Sequence, residues 1–243
     1  MTAMASTGPR PADPSSRVQP LRIVLHGANG RMGARIMACV PLDAGAHVVQ
    51  ALDRDDELAV QRGDADVVID FSSDEGAARA ARHAEQLDCA LLVGTTGLSQ
   101  ASLDAIARTA LRVPACVAPN TSLGVVVVRD LVREAARLLP GYQVDIVETH
   151  HARKLDAPSG TARSLAAAVS AGCGAPVPAE RIHAIRAGDV VGDHEVLFSG
   201  PGERISIRHH ATNRDLFATG ALRLARWLVT RPPGLHAVDA SHA

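Results

Sequence analysis

The chemistry of this chain concentrates in the stretch Glu148-Thr-His-His-Ala-Arg-Lys-Leu-Asp-Ala-Pro-Ser-Gly-Thr161. Among 25 lysines and arginines, Lys154 is the only lysine. An ammonium can release a proton while a guanidinium stays charged, so Lys154 is a candidate proton donor once partly desolvated. His150, just upstream, exchanges protons near neutral pH. Pro158-Ser159 ahead of a helical run is an N-cap pattern, and the N–H groups at such a helix start attract a carboxylate. A nearby cation completes a carboxylate clamp. These types in this order point to acid–base chemistry on an anionic small molecule, against the alternative of a solvated basic loop. The HxxE and HExxH spacings are absent, and no metal is expected.

A second group of residues suits a dinucleotide. Gly27-Ala28-Asn29-Gly30-Arg31-Met32-Gly33 has GxxGxxG spacing between an expected strand and an expected helix. Glycines there permit a tight turn, close approach to a pyrophosphate and close helix packing. Asp53 lies about 20 residues on, placed to accept hydrogen bonds from a ribose. Arg54 follows it and suits a 2′-phosphate, so NADH, NADPH or both remain open. Gly94, Thr95 and Thr96 end one strand, and Ala118, Pro119, Asn120 and Thr121 end another. The carboxyl ends of parallel strands are where such sheets bind ligands.

The elements that must position these residues read as follows. Strands are predicted over Leu21–His26, His47–Leu52, Asp66–Asp70, Ala90–Val93 and Val113–Val117, with helices over Arg31–Cys39, Asp74–Gln86 and Ser99–Ala110. This alternation predicts an α/β domain with a parallel sheet covered on both faces. After Asn120 the rhythm changes to a helix over Ser122–Leu138, a strand over Gln143–Thr149 and a helix over Gly160–Ser170. Strand-like runs follow at Arg181–Ala187, Val190–Ser199 and Glu203–His210, and a final helix covers Asn213–Val229 before Pro232-Pro233. The expected organisation is a dinucleotide-binding domain of residues 21–122 plus 214–231, with a mixed-sheet α+β domain of 123–213 inserted. Residues 1–20 are expected to be a disordered extension, and 232–243 a flexible tail.

Composition excludes several classes. The net charge of −1 and 2% aromatic content argue against a nucleic-acid surface or a base-stacking platform. The four cysteines carry no CxxC pair, and Cys39 and Cys89 read as buried thiols in a reducing, cytoplasmic setting. No apolar run reaches bilayer length.

The segments Gly27–Gly33, Val68-Ile-Asp-Phe-Ser72, Val93-Gly-Thr-Thr-Gly97, Ala118-Pro-Asn120, Glu148–Thr161 and Arg186-Ala-Gly-Asp-Val-Val-Gly192 together resemble the bacterial dihydrodipicolinate reductase family, in order from about Leu21 to Leu228. The His-His-x-x-Lys and Asp-Ala-Pro-Ser-Gly-Thr pattern is specific to that family; the glycine loop is not. The resemblance implies a Rossmann-type domain with an inserted substrate and oligomerisation domain. It further implies hydride transfer from NADH or NADPH to C4 of a cyclic unsaturated imine dicarboxylate, in lysine and diaminopimelate synthesis, by a homotetramer joined through the second sheet. His150 would then be the acid/base residue and Lys154 the proton donor that also attracts a substrate carboxylate. His151, Ser159, Gly160 and Thr161 would hold the substrate. The cofactor would lie on Gly27–Met32, Asp53, Arg54, Gly94–Thr96 and Ala118–Thr121. The chain departs from the family pattern in a short connection between Asp53 and Asp66, in Thr121 where an apolar or aromatic residue is frequent, and in lacking a glycine-rich loop within Pro176–Ile185. Two other classes compete. One is another nicotinamide dehydrogenase, acting on an amino acid or a semialdehyde; a semialdehyde enzyme needs an activated thiol, for which Cys116 in mid-strand is a poor candidate. A non-catalytic dinucleotide sensor needs the glycine loop but neither His150 nor Lys154.

Overall fold

The computed structural model describes residues 20–43 and 45–238. The expected extension over residues 1–20 thus lies, save for Pro20, outside the described residues, as do residues 239–243 of the expected tail.

The first half alternates strand and helix: β1 (Leu21–His26), α1 (Arg31–Cys39), β2 (Ala46–Leu52), β3 (Val67–Asp70), α2 (Asp74–Leu87), β4 (Ala90–Val93), α3 (Gln100–Ala110) and β5 (Pro114–Val117). β3 and β4 are apolar on both faces apart from the strand-ending Asp70, and every residue in them is buried, as a parallel strand between two helical layers requires. The second half runs α4 (Leu123–Leu138), β6 (Gln143–His150), α5 (Gly160–Cys173), β7 (Ile182–Arg186), β8 (Gly192–Gly200), β9 (Glu203–Ala211), α6 (Asp215–Leu228) and β10 (Gly234–Leu235). Boundaries follow local chemistry. Ser73, Ser99, Ser122 and Ser159 each cap a helix by accepting a backbone N–H through the side chain. α5 runs three residues beyond its expected end at Ser170, to Cys173, and stops where Gly174 adopts a left-handed φ of 76°.

Among the described residues, ten strands form two sheets. The larger is parallel, in the order β10-β5-β4-β3-β1-β2, and the smaller has the order β7-β6-β8-β9. One face of the larger sheet packs Ile23, Leu25, Ile69 and Leu92 under α1 and α6. The other packs Val24, Val68, Leu91 and Val93 under an alanine-lined α2 and under α3. α6 follows the smaller sheet in sequence yet returns to the larger one. The smaller sheet pairs β6 with β7 in parallel, while β8 runs antiparallel to both β6 and β9. Its inner face buries Ile146, Val196 and Phe198 against Val132 of α4 and Leu165 and Val169 of α5. No helix among the described residues is long and apolar enough to cross a membrane.

The tail corrects one expectation. Beyond Pro232-Pro233 the chain adds β10 to the free edge of β5, pairing Gly234 with Pro114 and Leu235 with Ala115, and His236 N donates to Ala115 O at 2.8 Å. An unpaired strand edge offers donors and acceptors to any segment delivered beside it, and α6 ends there.

Candidate active site

β1 is hydrogen-bonded to β2 on one side and β3 on the other, so the loop after β1 sits where the chain order reverses. Ligands of open parallel sheets bind at that crevice, beyond the strands' carboxyl ends. The glycine loop is built for close packing. Gly27 has φ 76°, and a Cβ there would come within 2.5 Å of Phe71 O. A Cβ on Gly33 would lie 2.1 Å from Gly27 O. α1 starts at Gly30 with no side-chain cap, which leaves its first N–H groups for an anion. Asp53 follows β2 directly, and its carboxylate accepts from Asn29 N at 3.3 Å through either oxygen.

Three cavities join end to end along this edge. The first, about 420 Å³, is lined by Gly27, Gly30, Asp53, Arg54, Ser73 and Arg79 among others. The second, about 490 Å³, shares Gly30, Phe71, Ser72 and Ser73 with it and adds Arg31, Met32, Gly94, Thr95, Thr96 and Thr121. The third, about 560 Å³, shares Thr96, Pro119 and Asn120 with the second, takes in Ala118, and reaches His150, Lys154, Ser159, Gly160 and Thr161. One groove therefore runs from the Asp53 carboxylate to the basic cluster. Ala28 packs against the core behind the loop. The loops are braced from below by Asp70, which is fully buried. Thr95 Oγ1 donates to Asp70 Oδ2 at 2.5 Å, and Ser72 Oγ donates to Oδ1. Burial raises the Asp70 pKa, and these hydroxyl donors offset part of the rise. Thr121 is also buried, its hydroxyl spent on Phe217 O of α6 at 2.6 Å.

The cluster at the far end hangs on β6 and the start of α5. Glu148 and His150 are two residues apart on one strand, so both face inward. Glu148 Oε2 accepts from His150 Nδ1, and Oε1 accepts from Ser159 N at 3.0 Å. Arg186 on β7 donates to both Glu148 oxygens at 2.9 Å. Burial works to raise the Glu148 pKa, but the donors from Arg186, His150 and Ser159 carry it below the usual carboxylate range. Burial lowers the His150 pKa, with Glu148 opposing. Lys154 Nζ pairs with Asp156 Oδ1 at 2.8 Å, and its side chain is 22% exposed. Ser159 Oγ caps Ala162 N at 3.1 Å, while the N–H groups of Gly160 and Thr161 in the first turn have no acceptor within the helix. Asn120 Nδ2 donates to Thr161 Oγ1 at 2.8 Å and so ties the loop after β5 to α5.

Three of the expected residues, Ala28, Asn29 and His151, line none of the three cavities. Burial together with the charges of Arg214, Arg153 and Arg31 lowers the pKa of His151. Several groups had no role assigned from sequence: the Glu148–Arg186 pair, Asp70, Phe217 and Arg214 lining the middle cavity, and Arg129 lining the third. Asp70 carried a readable signal, a carboxylate ending a buried strand. The others depend on strand register and the return of α6, which no local spacing encodes.

A glycine cradle at the switch point, adjoining the His150 and Lys154 cluster on a second sheet, is the arrangement of a nicotinamide-dependent oxidoreductase, and the cradle geometry fits a dinucleotide. The chain belongs to the dihydrodipicolinate reductase family, whose N-terminal model matches residues 21–121 and whose C-terminal model matches 124–240. It is 41% identical over 233 residues to the 4-hydroxy-tetrahydrodipicolinate reductase of Xanthomonas campestris pv. campestris (strain B100), covering 90% of this chain and 96% of that one. It is 40% identical over 256 residues to the enzyme of the same name from Anaeromyxobacter dehalogenans (strain 2CP-1), covering 88% and 95%. In fold it is similar to a dipicolinate-bound dihydrodipicolinate reductase from Paenisporosarcina sp. TG-14, with TM-score 0.72, 22% identity and coverage of 92% and 99%. It is an NAD(P)H-dependent oxidoreductase.

Proposed function

We propose that the protein reduces 4-hydroxy-tetrahydrodipicolinate to tetrahydrodipicolinate in lysine and diaminopimelate biosynthesis. The observation that carries this reading is the single groove joining Asp53 and the glycine loop to His150, Lys154 and the start of α5. Loss of the C4 hydroxyl as water leaves a conjugated unsaturated ring, and NADH or NADPH, when bound, would supply the hydride to its C4.

Gly27 to Met32 hold the pyrophosphate, Asp53 and Arg54 the adenosine ribose, and Gly94–Thr96 with Ala118–Thr121 the nicotinamide half. Ser159, Gly160 and Thr161 bind one substrate carboxylate at the start of α5, with Lys154 as the neighbouring cation. Hydride addition leaves an electron-rich centre on the substrate, and Lys154 Nζ donates the proton it needs. His150, its Nδ1 held by Glu148, keeps Nε2 for proton exchange; a Cβ on Gly192 would lie 3.0 Å from that nitrogen, so glycine there leaves it room. His151 assists substrate binding by resemblance alone.

Cys39, Cys89, Cys116 and Cys173 are free thiols, which supports a cytoplasmic site of action. The outer face of the smaller sheet carries Val147, Leu197 and the 47%-exposed Ile185, which supports assembly of a homotetramer through that sheet.

The test is oxidation of NADH and of NADPH with freshly generated dihydrodipicolinate-synthase product, for the native protein beside Lys154→Ala. Rapid oxidation is expected. The variant should lose on the order of 10²- to 10⁴-fold in turnover while still binding dinucleotide. Unchanged turnover in the variant would reject the proton-donor role, and no oxidation by the folded native protein would reject the substrate.

A further inference from the structure

Glu148 has no exposed surface, yet its carboxylate is fully engaged. Oε1 accepts from Ser159 N and Arg186 Nη2, and Oε2 from Arg186 Nη1 and His150 Nδ1. Arg186 stands directly beside His150 in the parallel register of β6 and β7. It also donates to the loop carbonyls of Lys154, at 3.3 Å through Nε, and Asp156, at 2.5 Å through Nη2. One buried ion pair thus touches the His150 ring, the backbone of Lys154 and the first residue of the α5 carboxylate site. Buried pairs of this kind add little net stability compared with apolar packing, so the arrangement calls for another use.

We propose that Glu148 and Arg186 are the positioning pair of this active site, holding His150 with its proton on Nδ1 and the Lys154 loop against the start of α5. The inference rests on the proposed reductase site. An ionised carboxylate only accepts hydrogen bonds, so the ring nitrogen facing Glu148 carries the proton and Nε2 is left for the substrate. The charges facing His150 are Glu148 on its own strand, Arg186 on β7, Lys154 in the following loop and His194 on β8, whose ring centroid is 5.1 Å away. His209 and Asp193 lie behind His194. Glu148 and Arg186 therefore pull the ring's titration in opposite directions. Glu148→Gln leaves Arg186 unopposed beside the ring and moves that titration to lower pH. Arg186→Met leaves Glu148 unopposed and moves it to higher pH.

The test is ¹⁵N-histidine NMR of the full chain across pH, run beside pH profiles of kcat. Opposed shifts in the two variants are expected, with a loss in kcat on the order of 10²-fold for Glu148→Gln and partial recovery in Glu148→Asp. Arg186→Lys keeps the charge but not the forked contacts. It should leave the His150 titration near that of the native protein while KM rises and kcat falls, and it serves where either of the first two variants does not fold. Coincident His150 titrations in native, Glu148→Gln and Arg186→Met proteins would overturn the proposal, as would a native-like pH profile in Arg186→Lys with unchanged kcat and KM. The NMR reading needs no substrate, so a failure of the reductase assignment would show separately, as absent NADH oxidation by the native protein.

Discussion

At the scale of single residues, the carboxylate end of the groove depends on what is missing from a side chain. A Cβ built on Gly160 meets nothing within 4 Å, and Gly160 lines the cavity that holds His150 and Lys154. Gly160→Val should therefore fill the substrate's space and leave the fold alone. The expected result is a KM raised by about tenfold or more, the worth of a charged hydrogen bond. Stability should change by no more than about 0.5 kcal/mol, as for other exposed positions. Steady-state kinetics and thermal melting check both, and an unaltered KM would place the carboxylate elsewhere. The sequence made His150, Lys154 and the Ser159–Thr161 turn readable because their types are unusual and their spacing is local. Glu148 and Arg186 stand in separate segments of the chain, and their union was not readable, since it arises only when β6 and β7 pair side by side.

At the scale of elements, α1 is docked on the glycine loop through Gly33, which faces backbone rather than side chain. The atoms a Cβ would meet are Gly27 O, Ala28 Cα and Ala28 O, at 2.1 to 2.6 Å. Backbone at that distance cannot swing aside, so Gly33→Ala forces the helix off the loop. A loss of about 1–3 kcal/mol is expected from such overpacking. NADH binding should weaken sharply as the first-turn N–H groups are displaced. Urea unfolding and fluorescence titration with NADH measure the two effects; tight binding retained in the variant would remove α1 from the cofactor site. The glycine spacing, the strand before it and Asp53 after it were legible together, because a βα turn and its ligand are encoded within a few dozen residues. β10 was not, since two residues give no periodicity and their pairing depends on where α6 ends.

At the scale of the whole molecule, buried imidazoles link stability to pH. His26 ends β1 beneath the glycine loop, fully buried and 3.0 Å from His83 Nδ1. Burial, with His83 and Arg79 adding to it, lowers its pKa to about 3. Burial, with His150 adding to it, lowers that of His194 to about 4. In the unfolded chain both titrate near 6.5. The unfolded state thus takes up protons that the folded state refuses, and stability present in full above about pH 6.5 is lost as pH falls. Each group contributes up to about 1.4 kcal/mol per pH unit between 6.5 and its folded value. Urea midpoints from pH 8 to pH 5 should show this decline, and His26→Leu should flatten it; an unchanged slope in that variant would exclude His26. Nothing in the sequence announced the His26–His83 contact, which is made only by the packing of α2 on the sheet. Lys154, by contrast, stands out in any reading, and its solitude reaches beyond the proposed proton transfer. Every other cation among the side chains is an arginine or a histidine, so no surface lysine competes for reagents that seek an ε-amine. Acetylation, carbamylation or glycation of a lysine in this chain has one address, and it lines the cavity beside His150.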